Sequence, residues 1–223
     1  MKTTRSLRAA LGAACLLIAA PILAADAPAD TARQVVEESL GQVLAILNEP
    51  GVSEASRRDR IAQIANERFD FDTVSKLVIA RPWRKFTKQQ RAEFTAEFKT
   101  HLARSYGRRL SRYQGVGLKV LSEKPEQRGD VTVECRVVGG QFDGAQMNYR
   151  MRGKTGEWLI IDVVIEGVSL VSNFRSQFKP IVSQGGADEL LRRLKDKNDL
   201  LQAEIQKEEG SLVQPVSDTA TAQ

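Results

Sequence analysis

Glu157-Trp158-Leu159-Ile160-Ile161-Asp162-Val163-Val164-Ile165-Glu166-Gly167-Val168-Ser169-Leu170-Val171-Ser172-Asn173-Phe174-Arg175-Ser176-Gln177-Phe178 decides the reading of this chain. Its first half is a β-branched run suited to a buried strand. Glu166-Gly167 breaks that run. Ser169 is placed to cap a helix on which Leu170, Phe174, Phe178 and Ile181 recur at helical spacing. A strand therefore feeds directly into a helix through a glycine.

Working upstream, Lys154-Thr155-Gly156 makes a tight turn into strand 157–165. The strand before it alternates, with Met147, Tyr149 and Met151 on one face and Asn148, Arg150 and Arg152 on the other. Val131, Val133, Cys135 and Val137 likewise oppose Thr132, Glu134 and Arg136, and Gly139-Gly140 with Gly144 mark the turn between these two strands. Leu118, Val120 and Ser122 share a face of the first strand. The pattern predicts a four-stranded antiparallel meander.

Helical spacing governs the flanks. Residues 31–47 carry Val36, Leu40, Val43, Leu44 and Leu47 on one face, and Pro50-Gly51 ends the helix. Ser53 starts a second helix, Asp70 or Asp72 a third, and Arg81-Pro82 stops the third. Thr87-Lys88-Gln89-Gln90 is a capping box. It opens a long helix near 88–113, with Phe94, Phe98, Leu102, Tyr106, Leu110 and Tyr113 as its stripe. Gly185-Gly186 ends the Ser169 helix, and 187–206 forms the last one. Helices, then a meander, then helices is an α+β arrangement. The expected architecture is several helices packed on a curved four-stranded antiparallel sheet, enclosing an apolar cavity.

The N-terminus reads as a secretory signal, residues 1–25. Lys2, Arg5 and Arg8 precede an apolar run from Ala9 to Leu23, and small residues follow. That run falls short of the roughly 20 residues that span a bilayer. Cys15 does not read as a lipoprotein site, because the apolar run continues past it. Residues 31–206 then form one domain, and 207–223, short of apolar residues, a disordered tail. The formal charge is +5, from 33 basic and 28 acidic residues. Three of the basic residues lie ahead of a cut after Ala25, which leaves 30 against 28, or +2. That balance gives no reason to expect a nucleic-acid partner. The basic groups Arg57-Arg58-Asp59-Arg60, Arg104 with Arg108-Arg109 and Arg112, and Arg192-Arg193 read as solvated helix faces, or as a surface for anionic head groups or an acidic partner.

Few residues offer chemistry. His101 is the single histidine, on the long helix near its apolar stripe, and no Gly-x-Ser-x-Gly elbow accompanies it. Cys135 lies mid-strand on an apolar face, as a buried thiol does, and no second cysteine or histidine lies nearby to bind zinc. No glycine-rich phosphate loop is present, and no cofactor is expected. Asp162, within an apolar strand, is expected to make a structural hydrogen bond or an ion pair, with Arg175 or a neighbouring strand. A catalytic role for Asp162, on a lipid or cell-wall substrate, is the alternative.

Two phrases resemble the MlaC family of periplasmic phospholipid carriers, also called the toluene-tolerance auxiliary family. One is Asp162-Val163 … Glu166-Gly167-Val168-Ser169-Leu170 … Asn173-Phe174-Arg175 … Phe178. The other is Phe69-Asp70-Phe71 … Trp83 … Phe86-Thr87 … Gln90 … Phe94 … Phe98 … Leu102 … Tyr106. The resemblance covers roughly 31–198. It implies a non-enzymatic periplasmic protein that encloses phospholipid acyl chains. It also implies two partners, an outer-membrane lipoprotein complex and an inner-membrane ABC transporter, and a role in outer-membrane lipid asymmetry. Relatives associated with hopanoids or other lipids leave the cargo open. Residues expected between helix and sheet, against lipid, are Trp83, Phe94, Phe98, Tyr106, Val133, Val137, Tyr149, Met151, Ile161, Val163 and Phe174.

Overall fold

Short-range capping fixes the helices. In the computed structural model, which describes residues 31–110, 116–154 and 156–212, α1 spans Ala32–Asn48 and opens with a capping box between Thr31 and Gln34. Ser53 caps α2, Glu54–Arg68. Asp70 caps α3, Phe71–Ile79, by accepting from the Thr73 amide at 2.9 Å. A 3₁₀ turn over Arg81–Lys85 follows. Thr87 and Gln90 exchange the two hydrogen bonds of the expected box at the start of α4, Lys88–Leu110. Residues 111–115, with Arg112 and Tyr113, lie outside the described residues, as do the signal-like residues 1–30.

The sheet is a meander in the order β1-β2-β3-β4-β5, curved and unclosed. It comprises β1 Gly117–Pro125, β2 Asp130–Val138, β3 Gln146–Lys154, β4 Glu157–Ile165 and β5 Val168–Ser169, all antiparallel. It therefore has five strands rather than four. Ser169 both pairs with Val164 as part of β5 and accepts from the Ser172 amide, capping the helix that follows. That helix, α5, runs over Leu170–Leu212 and is interrupted at Gly186, whose φ of 68° is a left-handed conformation suited to glycine. The break falls where Gly185-Gly186 predicts it. The helix continues through Leu212, past residue 206, and 213–223 lie outside the described residues.

Two bulges shift the expected faces. In β1 the register slips between Val120 and Ser122, so Ser122 turns away from Val120 and donates to Glu134 on the polar face. In β4 the register slips so that Asp162 opposes Arg150 while Ile160 opposes Met151, leaving Ile161 as the extra residue.

The core has three parts. The apolar face of the sheet, with Val120, Val133, Cys135, Met151, Ile160 and Val163, packs against Ala32, Val35, Val36 and Leu40 of α1. A helical cluster joins α3, α4 and α5 through Val74, Val78, Phe94, Phe98, Phe174 and Phe178. Ile46, Leu47 and Ile61 close α1 onto α2.

A polar network sets the register of α4 against the second half of α5. Asn198 is buried; its amide donates to the Glu97 carbonyl and carboxylate, its Oδ1 lies 3.0 Å from His101 Nδ1, and its carbonyl accepts from Arg104. Since Asn198 Oδ1 can only accept, His101 Nδ1 carries the proton. Burial lowers the His101 pKa, Asn198 opposes that shift, and nearby Lys197 adds to it. The folded protein thus holds the neutral imidazole more strongly than the unfolded chain does. Stability is complete above the unfolded histidine pKa of about 6.5 and declines as pH falls below it. Urea titrations across this window are expected to show the decline in the wild type and a flatter profile in His101→Gln.

Candidate functional site

Strand alternation gives the sheet one apolar and one polar face. The apolar wall is closed at one end and open at the other. Near the β3–β4 turn, Met151 and Ile160 are 0% and 4% exposed, whereas Ile165 and Val168, at the end of β4 and in β5, reach 42% and 61%. The β2–β3 loop ends at the same edge, and Phe142 in it is exposed at 47%. Phe142 is thus not a core residue. Gly140, at φ 66°, brings this loop so close to Val116 that an added Cβ would lie 2.7 Å from its side chain.

Within the wall, Leu118, Val137, Met147 and Tyr149 are only half-buried. The Tyr149 hydroxyl donates to Met147 Sδ at 2.9 Å, a weak acceptor. Burial pushes the Tyr149 phenol well above its usual range, with the neighbouring Cys135 adding to the shift. Cys135 itself is fully buried, and burial pushes its thiol up to about 12, which leaves it unreactive.

The residues expected against lipid do not fall in one place. Val133, Met151 and Val163 lie buried in the sheet wall, with half-buried Tyr149 against them. Val137 is on the same face by register, half-buried beside Leu118. Phe94, Phe98 and Phe174 are instead buried in the helical cluster, with Trp83 and Tyr106 against it. Ile161 occupies the bulge, and Ile160 takes the wall position expected for it. The open rim at Ile165 and Val168 went unassigned from sequence, although Ile165 continues the alternation of Val163.

Asp162 makes the structural hydrogen bond expected of it, with the neighbouring strand β5 rather than with Arg175. Its carboxylate accepts from the Ser169 hydroxyl at 2.6 Å and from the Val171 amide at 3.0 Å, which ties β4 to the start of α5. Arg175 does not reach it; the guanidinium donates twice to the Leu77 carbonyl, at 3.0 and 2.6 Å, and so satisfies the C-terminal turn of α3. A groove of about 370 Å³ opens on the polar face beside Asp162, lined by Glu126, Gln127, Thr132, Arg150 and Val164. Its polar lining is unsuited to acyl chains.

The basic groups are also committed. Arg57 donates to the Glu49 carbonyl, Arg58 pairs with Glu209, Arg60 with Glu49, and Arg104 binds the Asn198 carbonyl. Arg192 and Arg193 pair with Glu189. The side chains of Arg108 and Arg109 lie outside the described residues. Among the described residues there is no cluster of side chains suited to hold a metal and no helix long and apolar enough to cross a membrane.

Comparison with known proteins adds three findings. The chain is 28% identical over 180 residues to the toluene tolerance protein ttg2D of Pseudomonas putida, covering 79% of this chain and 84% of that one. Its fold is similar, with a TM-score of 0.70, to a phospholipid-binding protein from Ralstonia solanacearum solved in complex with a phospholipid. The two are 23% identical over 78% of this chain and 99% of the other. Residues 37–196 match the family described as MlaC protein, and the chain belongs to the MlaC family.

Proposed function

We propose that this protein is a periplasmic carrier that holds phospholipid acyl chains against the apolar wall of its sheet, with the head group at the rim formed by Ile165 and Val168. Tyr149 is the observation that carries this reading. It lies mid-wall, opposite buried Val133 on one strand and Val163 on the other, yet keeps accessible surface, and its hydroxyl finds only the weak acceptor Met147 Sδ. Accessible surface in the middle of a packed apolar wall belongs to a side chain that borders an enclosed space. The wall around it is apolar, and its exposure rises toward one end, as a mouth requires.

The energetics call for such enclosure. Removing a two-chain lipid from a bilayer exposes about 30 methylenes, on the order of 25 kcal/mol at about 0.8 kcal/mol each. Family membership supports the wider role: exchange of lipid between an outer-membrane lipoprotein complex and an inner-membrane ABC transporter, maintaining outer-membrane asymmetry. A signal peptide over residues 1–25 would deliver the protein to the periplasm.

A photo-crosslinking residue at Tyr149, Met147 or Val163 is expected to label lipid in cells, and one at Thr132 on the polar face is not. Equal labelling at Thr132 would overturn the placement. The enzyme alternative is tested by Asp162→Asn. The acceptor for Val171 survives this change and the charge is lost. The expected result is a loss of about 1 kcal/mol in stability with lipid still bound. Lost function at unchanged stability would instead identify Asp162 as catalytic.

A further inference from the structure

Arg81, Arg84, Lys85 and Lys88 form a cationic patch in the turn Arg81-Pro82-Trp83-Arg84-Lys85-Phe86-Thr87-Lys88. All four side chains are exposed, and none forms an ion pair among the described residues. The stretch from 81 to 91 holds no acidic residue. The four cations of the patch exceed the net surplus of +2 left after a cut at Ala25.

Two further features set it apart from an ordinary solvated face. The first is that it works against the local electrostatics. Lys88 is the first residue of α4, whose first turn contains no acidic side chain, so cations crowd the positive end of the helix dipole. The second is that its backbone is held firmly. Arg91 donates to the Trp83 carbonyl at 3.1 Å and the Arg84 carbonyl at 3.3 Å while its guanidinium lies over the Trp83 ring. Phe86 is buried beneath, and the Thr87–Gln90 capping box closes the turn. The fold thus spends its polar contacts on the main chain and leaves four cations pointing outward.

We propose that this turn is a docking surface for the anionic head groups of a lipid bilayer. The four cations sit on a turn and the first turn of a helix, on long flexible side chains. That geometry suits a diffuse negative surface, which needs no stereospecific contact. Half-buried Trp83, at the centre of the patch, is the residue type enriched at bilayer interfaces. The carrier reading enters only in the choice of a bilayer over an acidic protein. The attraction is electrostatic and therefore weakens with salt, which lets a shuttle leave the membrane it visits.

The test is co-sedimentation of the mature protein with vesicles of phosphatidylcholine alone or enriched in phosphatidylglycerol, at low and high salt. Wild type is expected to bind the anionic vesicles at low salt only. The variant Arg81→Gln, Arg84→Gln, Lys85→Gln, Lys88→Gln is expected to bind them on the order of 1,000-fold more weakly, at about 1 kcal/mol per lost cation. The charge-preserving variant Arg81→Lys, Arg84→Lys, Lys85→Arg, Lys88→Arg is expected to bind like wild type. The single variant Lys85→Glu, read alongside, guards against a folding defect in the quadruple one, and is expected to show intermediate binding. Lys207→Glu, on the last helix, is expected to have no effect. Wild type that ignores anionic vesicles, as it would if the partner were an acidic protein, overturns the proposal. So does a glutamine variant that binds as well as wild type. Bound lipid is measured separately by mass spectrometry, so failure of the carrier reading and failure of docking are distinguishable.

Discussion

Phe98→Ala is expected to destabilise the protein by about 3–5 kcal/mol, read as a lower urea midpoint with an unchanged slope. The ring is 0% exposed and sits at the centre of the helical cluster. It stacks on Phe94 at 5.5 Å between centroids and meets Phe174 and Phe178 edge-on at 5.0 and 5.8 Å. Truncation removes a large buried apolar area and leaves a void that four packed helical segments cannot collapse into without moving one another. Phe98→Leu fills more of that volume and is expected to cost less. The outcome also separates two roles for the aromatic residues. If Phe98 is core, lipid is lost from the alanine variant only in step with folding. Lipid lost at full stability would place its ring against the cargo.

Asp130→Asn is expected to cost about 2 kcal/mol near neutral pH. Asp130 is fully buried at the start of β2, yet its carboxylate accepts three hydrogen bonds. Arg152 supplies Nε at 2.6 Å and Nη2 at 2.8 Å, and Arg150 supplies Nη2 at 2.8 Å. Both arginines keep substantial exposure, 41% and 34%, so solvent screens the pair and the figure stays below that for a wholly buried one. The Arg152 hydrogen bonds hold the Asp130 carboxyl below its usual pKa, against the opposing effect of burial, and the charges of Arg152 and Arg150 contribute further. Because the folded pKa is depressed, the contribution is fully present above the unfolded carboxylate value of about 3.9 and is lost as pH falls through the folded one. The stability gap between wild type and Asp130→Asn should therefore be constant above roughly pH 4 and narrow below it.

What could be read from sequence was local. The caps at Ser53 and Thr87 depend on residues three positions apart and are found where the sequence predicts them; of Asp70 and Asp72 it is Asp70 that caps α3, and the capping box at Thr31 is an addition to the sequence reading. The β2 and β3 faces follow strict alternation and are correct for the same reason. The bulges at Leu121 and Ile161 are not legible, because an inserted residue breaks the alternation that defines the reading. Long-range partners are not legible either. Arg175 meets Leu77, 98 positions away, and Asn198 meets His101, 97 away. The same limit splits the expected pocket residues. Alternation places Val133 and Tyr149 on one wall, but nothing local says that α1 covers that wall while Phe94, Phe98 and Phe174 close on one another elsewhere. The basic turn at 81–88 does not stand out in sequence for a different reason. The arginine groups at 57–60 and 192–193 are denser, and only the fold shows that they are paired, with Glu49, Glu189 and Glu209.

The central claim, that the apolar wall around Tyr149 encloses phospholipid, is tested most directly by what the protein carries out of the cell. The mature protein is purified without detergent, extracted with organic solvent, and the extract is analysed by mass spectrometry alongside protein quantification. The account predicts near-stoichiometric glycerophospholipid, and a lower melting temperature once that lipid is removed. Protein that emerges without lipid, and melts identically before and after extraction, would contradict it.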